Sequence, residues 1–169
     1  GRIGSDKKRR WDVEMEKRRM IRVFSRICFT IYMALLVYFL LLSDGFGRGD
    51  GYENYRYNLV PFLEIKRFIK YYEYIDFPSV VINLLGNIVA FMPFGALIRW
   101  VVNRKTRWYQ ATAYTFLFSL CVELLQLVAK VGVFDVDDLI LNTLGGLMGF
   151  WIYYLLLLIN RRRERHDKG

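Results

Sequence analysis

A small set of polar side chains could do chemistry here. Asn83 and Asn87 stand four residues apart, and Glu123 and Gln126 three apart. Asp135, Asp137 and Asp138 crowd together, with Asn142 four residues beyond Asp138. At helical spacing each set falls on one face. A carboxylate among amides can hold a polar head group, act in an acid–base pair, or carry a proton. Clustered aspartates can cap a helix start, where free N–H groups and the dipole favour negative charge. They can also hold a hard cation or a substrate ammonium, although the spacing is not that of an EF-hand loop. The one histidine, His166, lies in the last four residues, so the body of the chain has no Ser–His dyad, zinc triad or phosphatase histidine.

The elements that carry these residues are apolar. The chain has 169 residues, 54% apolar, 17% aromatic and 24% charged, but the charges are gathered into tails and loops. Phe77 to Ile98 is a run of 22 residues without a charge, and Leu139 to Ile159 a run of 21. Such runs read as transmembrane helices, which excludes an ordinary soluble enzyme and a disordered chain. Four spans are expected, over residues 24–43, 77–102, 108–129 and 138–159. Each reaches about 20 residues, enough to cross about 30 Å at about 1.5 Å per residue. The expected fold is an all-α integral membrane protein. It has a basic juxtamembrane segment (1–23), a four-helix membrane domain (24–159) with a loop over 44–76, and a basic tail (160–169). Residues 1–23 read as a helix running into the first span rather than a cleavable signal, because no small-residue cleavage site follows.

Lysine and arginine set the expected orientation. Residues 1–26, the 99–107 connection and the tail after Asn160 hold 19 of the 25 basic residues. Both termini are therefore expected in the cytoplasm, with the 44–76 loop and the 130–137 turn outside. The net charge of +9 then belongs to a membrane face rather than to nucleic acid, and anionic lipid accounts for it. In this orientation Asn83 and Asn87 lie about 8 and 14 Å below the outer surface, and Glu123 and Gln126 about 9 and 5 Å. Polar groups facing lipid cost free energy, so these faces should turn toward one another and form an outward-opening polar pocket. Glu123 is expected either to be neutral and hydrogen-bonded to Gln126 and Asn87, or to pair with Arg56, Lys66, Arg67 or Lys130. Cys28 and Cys121 read as buried apolar thiols on different spans.

Gly145 and Gly149 continue the Asp138–Asn142 face and read as a close helix-packing stripe. Pro93 should kink the second span. In the long loop, Gly45, Gly47, Gly49 and Gly51 form a flexible entry. After Pro61 the spacing predicts an amphipathic helix over 62–74, lying on the membrane or folded over the pocket as a lid.

The segment Asn58-Leu59-Val60-Pro61-Phe62 is followed by Asn83-Leu84-Leu85-Gly86-Asn87-Ile88 and by Phe91-Met92-Pro93-Phe94-Gly95. Further on come Glu123-Leu124-Leu125-Gln126 and Phe134-Asp135-Val136-Asp137-Asp138-Leu139-Ile140-Leu141-Asn142-Thr143-Leu144-Gly145. In this order the blocks resemble the VanZ-like family, from about Asn58 to Tyr154. The resemblance implies a bacterial envelope membrane protein, whose namesake is linked to resistance to lipid-tailed glycopeptides of the teicoplanin type. The family pattern often carries an Arg shortly before the Phe-Asp pair. Here Val131-Gly132-Val133 stands there, with Lys130 the nearest base.

The expected function is binding of an amphiphilic ligand, a lipid-linked peptidoglycan precursor or a lipoglycopeptide antibiotic, from the outer leaflet. The residues expected to hold it are Asn58, Asn83, Asn87, Glu123, Gln126, Asp135, Asp138 and Asn142. Membrane lipids are the other expected partners. No nucleic acid, cofactor or metal is expected. A membrane-embedded enzyme, or a proton-coupled transporter built on Glu123, remain open as alternatives.

Overall fold

The computed structural model describes residues 2–42, 55–63, 66–67, 70, 77–102 and 105–166. Side chains are described over 9–40, 55–63, 66–67, 70, 84–102 and 105–164. Four helices dominate: α1 (Arg2–Leu42), α2 (Phe77–Val101), α3 (Trp108–Ala129) and α4 (Val136–His166). Each is long and apolar enough to cross a membrane. Their outward faces are apolar, with Ile31, Leu35, Val89, Leu117, Leu125, Met148 and Leu155 all exposed. That pattern suits hydrocarbon as the surrounding medium.

The basic segment is one unbroken helix with the first span. A two-residue parallel bridge joins β1 (Tyr57–Asn58) to β2 (Phe134–Asp135), in the register Tyr57 with Phe134 and Asn58 with Asp135. This short bridge is an addition to the expected all-α architecture, which the four long helices bear out. Two residues are too few for a period-two pattern to show. The loop glycines 45, 47, 49 and 51 lie outside the described residues. Of the helix expected over 62–74, residues 63, 66, 67 and 70 are helical, with the Lys66 amide donating to the Phe62 carbonyl at 2.9 Å. The remainder lies outside the described residues.

α2 and α4 run the same way and touch backbone to backbone. A Cβ at Gly145 would lie 2.9 Å from the Ile88 Cα, and one at Gly149 2.7 Å from the Met92 carbonyl carbon. Only glycine permits this approach. α3 runs antiparallel to both, with its Thr115 side chain seated on Gly146. At its start the Gln110 side chain accepts the Arg107 amide at 2.9 Å, satisfying one of the free amides of the first turn. α3 ends at Lys130, whose left-handed φ of 55° stops the helix.

Packing divides the bundle into two ends. Toward the end where the basic segments gather, Phe94, Ile98, Ala111 and Phe150 form the apolar core, with Phe118 stacked on Phe94 at 5.3 Å between centroids. At the other end, where α2 and α4 begin and α3 finishes, Glu123, Gln126, Asp137 and Asn142 are buried alongside Val122, Leu139 and Leu141. α1 leans on this framework through Phe29, Tyr32, Met33 and Leu36. The Tyr32 hydroxyl donates to the Ala90 carbonyl. Ala90 neighbours Val89, whose carbonyl loses its helical partner to Pro93. α2 nevertheless continues through Pro93. Cys28 is half-buried and Cys121 exposed. The exposure of Cys121 corrects its reading as a buried thiol, since its face of α3 points out of the bundle.

Candidate functional site

The acidic start of α4 organises the polar end. Asp135 is its N-cap: its Oδ1 accepts the Asp137 amide at 2.8 Å, satisfying a donor that has no helical partner. Asp137 and Asp138 fill the first turn, where the helix dipole favours negative charge.

Three neighbouring elements converge on this turn. From α3, Glu123 accepts the Asp135 amide on Oε2 at 3.0 Å. From α2, the Asn87 side-chain amide donates to Asp138 Oδ1. From β1, Asn58 Nδ2 donates to both Asp135 oxygens at 3.2 Å, and its own Oδ1 accepts the Val60 amide at 3.1 Å. The Phe62 amide then donates to Asp137 Oδ1. The Asn58–Phe62 segment is thus a pin: an asparagine turn at one end and a backbone donor at the other, both held by α4 aspartates. Phe62 adopts a φ of 62°, a region a bulky residue enters only when its surroundings impose it.

The site deepens along α3. Thr115, Ser119 and Glu123 repeat every four residues on its buried face. Ser119 Oγ accepts the Asn142 side-chain amide at 2.9 Å. Glu123 is 3% exposed, and Asp137 and Asn142 are each 2% exposed. Polar groups buried at this level demand hydrogen-bonded partners. One acceptor in the ladder, Asn142 Oδ1, is buried without a hydrogen-bond partner.

Of the expected site residues, Asn58, Asn87, Glu123, Asp135 and Asp138 come together in this one network. Asn142 lies deeper, on Ser119. Gln126 is directed elsewhere: its Nε2 donates to the Leu40 carbonyl of α1 at 2.9 Å, and Gly132 lies against its side chain. The Asn83 side chain lies outside the described residues. The expected bonding of Glu123 to Gln126 and Asn87 is replaced by its bond to the Asp135 amide, because Gln126 turns to α1 and Asn87 reaches Asp138. Lys130 Nζ stands 5.0 Å from the centre of the Tyr55 ring. Among the described residues, no group of three or more His, Cys, Asp or Glu side chains is placed to hold a metal ion.

Sequence reasoning missed Asp137 as the Phe62 acceptor, and missed Ser119 and Thr115. The hydroxyl pair carried a signal, since positions 115 and 119 sit two turns and one turn from Glu123 on its own face. The Asp137 bond carried none, because its donor is a backbone amide.

Comparison with known proteins comes to the same region. Residues 29–158 match the family described as VanZ/LLP1. The chain is 28% identical over 138 residues to Protein VanZ of Enterococcus faecium, covering 80% of this chain and 77% of that protein. No solved structure matches the chain.

Proposed function

Because the chain belongs to the VanZ/LLP1 family, we propose that it is a multi-pass protein of the bacterial cytoplasmic membrane that binds an amphiphilic envelope ligand. Its termini are cytoplasmic and its acidic end faces outward, following the bias of lysine and arginine. The ligand is a lipid-linked cell-wall precursor or a lipoglycopeptide antibiotic. Its capture contributes to resistance of the teicoplanin type. The ligand's polar head meets Asn58, Asn87, Glu123, Asp135 and Asp138, and its apolar chain stays in the leaflet.

One observation carries the reading. Side chains from α2, α3 and β1 each hydrogen-bond to the start of α4, at one end of the bundle. Polar residues that served only to join helices could pair locally along each seam. Here three elements converge on the first turn of a fourth, which supports reading these groups as one head-group site.

The test is a thermal shift of the full chain in detergent, with a lipid-linked peptidoglycan precursor and a lipoglycopeptide as probes. A shift that is lost in Asn87→Ala and kept in Gly86→Ala supports the proposal. Absence of a shift with either probe, or a shift unchanged by Asn87→Ala, overturns it.

A further inference from the structure

Beside the acidic turn lies a surface of the opposite character. Tyr55, Tyr57, Leu59, Val60 and Phe62 are exposed, Tyr57 at 66% and Leu59 at 59%. Asn58, between them, turns inward to Asp135. This loop does not fray. The Phe134 amide donates to the Arg56 carbonyl at 3.0 Å, the β1–β2 bridge holds the next two residues, and the asparagine turn and the Phe62–Asp137 bond hold the rest. A fixed loop that shows five large apolar or aromatic side chains to water is unfavourable unless something covers them.

The level of the loop identifies its cover. The uncharged run of α4 begins at Leu139, and Phe62 is bonded to Asp137, two residues earlier. Two residues are about 3 Å along a helix axis, whereas the interfacial layer beyond the hydrocarbon is roughly 5 to 7 Å deep on each side. Residues 55–62 therefore stand in the interfacial layer, where tyrosine rings and apolar side chains are stabilised together. Lys66 is exposed just beyond the loop, and a basic side chain there suits an anionic lipid surface.

We infer that residues 55–62 form a membrane-interface anchor, with the phospholipid head-group layer as its partner. The pin from Asn58 and Phe62 to α4 ties this anchor to the acidic turn and holds that turn level with the head groups. The inference goes beyond the proposed ligand, because the anchor inserts whether or not a head group occupies the acidic turn.

The test uses the full chain with Cys28→Ala and Cys121→Ala, spin-labelled at Val60→Cys or, separately, at Leu59→Cys. The protein is reconstituted without ligand in vesicles of phosphatidylethanolamine and phosphatidylglycerol. Collision rates are measured with oxygen, which concentrates in the bilayer, and with a water-soluble nickel chelate. A label at Arg10→Cys, exposed on α1 and fourteen residues or about 21 Å before the first span, gives the aqueous reference. Both loop labels should collide with the nickel chelate several-fold less than the Arg10 label, and with oxygen several-fold more. Loop labels as accessible to nickel as the reference would overturn the inference. Dipolar broadening between loop labels, relieved by diluting with unlabelled protein, would also overturn it, because a second copy would then be the cover.

Discussion

Replacing Gly145 with alanine should push α2 away from α4, and the structure sets the scale. The new Cβ would lie 2.9 Å from both the Cα and the carbonyl carbon of Ile88, and nearer still to the oxygen. All of these are backbone atoms, so no side chain can rotate aside. The helices must separate by about 1 Å, the kind of overpacking that costs about 1–3 kcal/mol. Alanine also gains roughly 1 kcal/mol of helix propensity over glycine, which would mask part of the loss. Gly86 removes that ambiguity. It lies in α2, two residues before Ile88, and a Cβ there meets nothing within 4 Å. Gly86→Ala should therefore be neutral or stabilising, and the difference between the two variants isolates a packing cost of about 1–3 kcal/mol. Gly149→Ala presses on Met92 in the same way. Because it shares the seam, the double variant should lose less than the sum of the two. The assay is reversible unfolding in mixed micelles of increasing SDS fraction. Ile88 directly follows Asn87 in the chain, so any ligand-induced thermal shift should fall in Gly145→Ala and survive in Gly86→Ala. Equal midpoints for Gly145→Ala and Gly86→Ala would refute the reasoning, for the backbone contact would then not be limiting.

Two further outcomes follow from the polar network. Glu123→Ala removes the acceptor of the Asp135 amide and should cost about 1–3 kcal/mol in the same unfolding titration; Glu123→Gln keeps an acceptor and should lose clearly less, and an equal loss would mean that charge, not amide acceptance, is what the position supplies. Asn58→Ala cuts the side-chain end of the pin, a bond to a charged group worth about 1.5–3 kcal/mol, so exchange of the Phe62 amide hydrogen should accelerate roughly tenfold to a hundredfold while amides of α4 beyond Leu141 keep their protection.

The helices were legible because the apolar runs are long and uninterrupted. The expected third span over 108–129 coincides with α3 (Trp108–Ala129). The meeting of Asn87, Glu123, Asp135 and Asp138 was also within reach, since depth along each span follows from rise per residue and lipid excludes the alternative facing. What sequence could not give was the partner of each group. Gln126 shares a face with Glu123, yet it reaches the Leu40 carbonyl, because the side at which α1 docks leaves no periodic trace in α3. The role of the Asn58–Phe62 segment was hidden for another reason. It works through a left-handed Phe62 and a backbone amide, and neither is a property of residue type. Resemblance marked the segment, and only geometry explains why asparagine and a following turn are wanted there.

The same geometry weighs binding against passage. A transporter needs a polar route from one end of the bundle to the other, and the ladder Glu123–Ser119–Thr115 on α3 begins as one. It stops at Thr115. There the side chain rests on the Gly146 backbone, where a Cβ would approach Thr115 Cβ to 2.8 Å, a spacing that leaves no room for a solute between α3 and α4. The neighbouring seam is closed as well, since a Cβ at Gly95 would come within 2.9 Å of the Gly146 Cα. Beyond these contacts lie Phe94, Ile98, Ala111 and Phe150, all apolar. Polar groups that end against glycine-tight backbone and an aromatic core do not continue as a polar route along this face of α3. The two hydrogen bonds differ in burial: Asn58 reaches Asp135 at 3.2 Å in partial burial, whereas the Asn142–Ser119 pair at 2.9 Å is buried. On the proposed binding reading, a head group would exchange with the less buried Asn58–Asp135 bond and leave the Asn142–Ser119 pair intact, whereas a carrier would have to reopen the glycine-tight seams at every cycle.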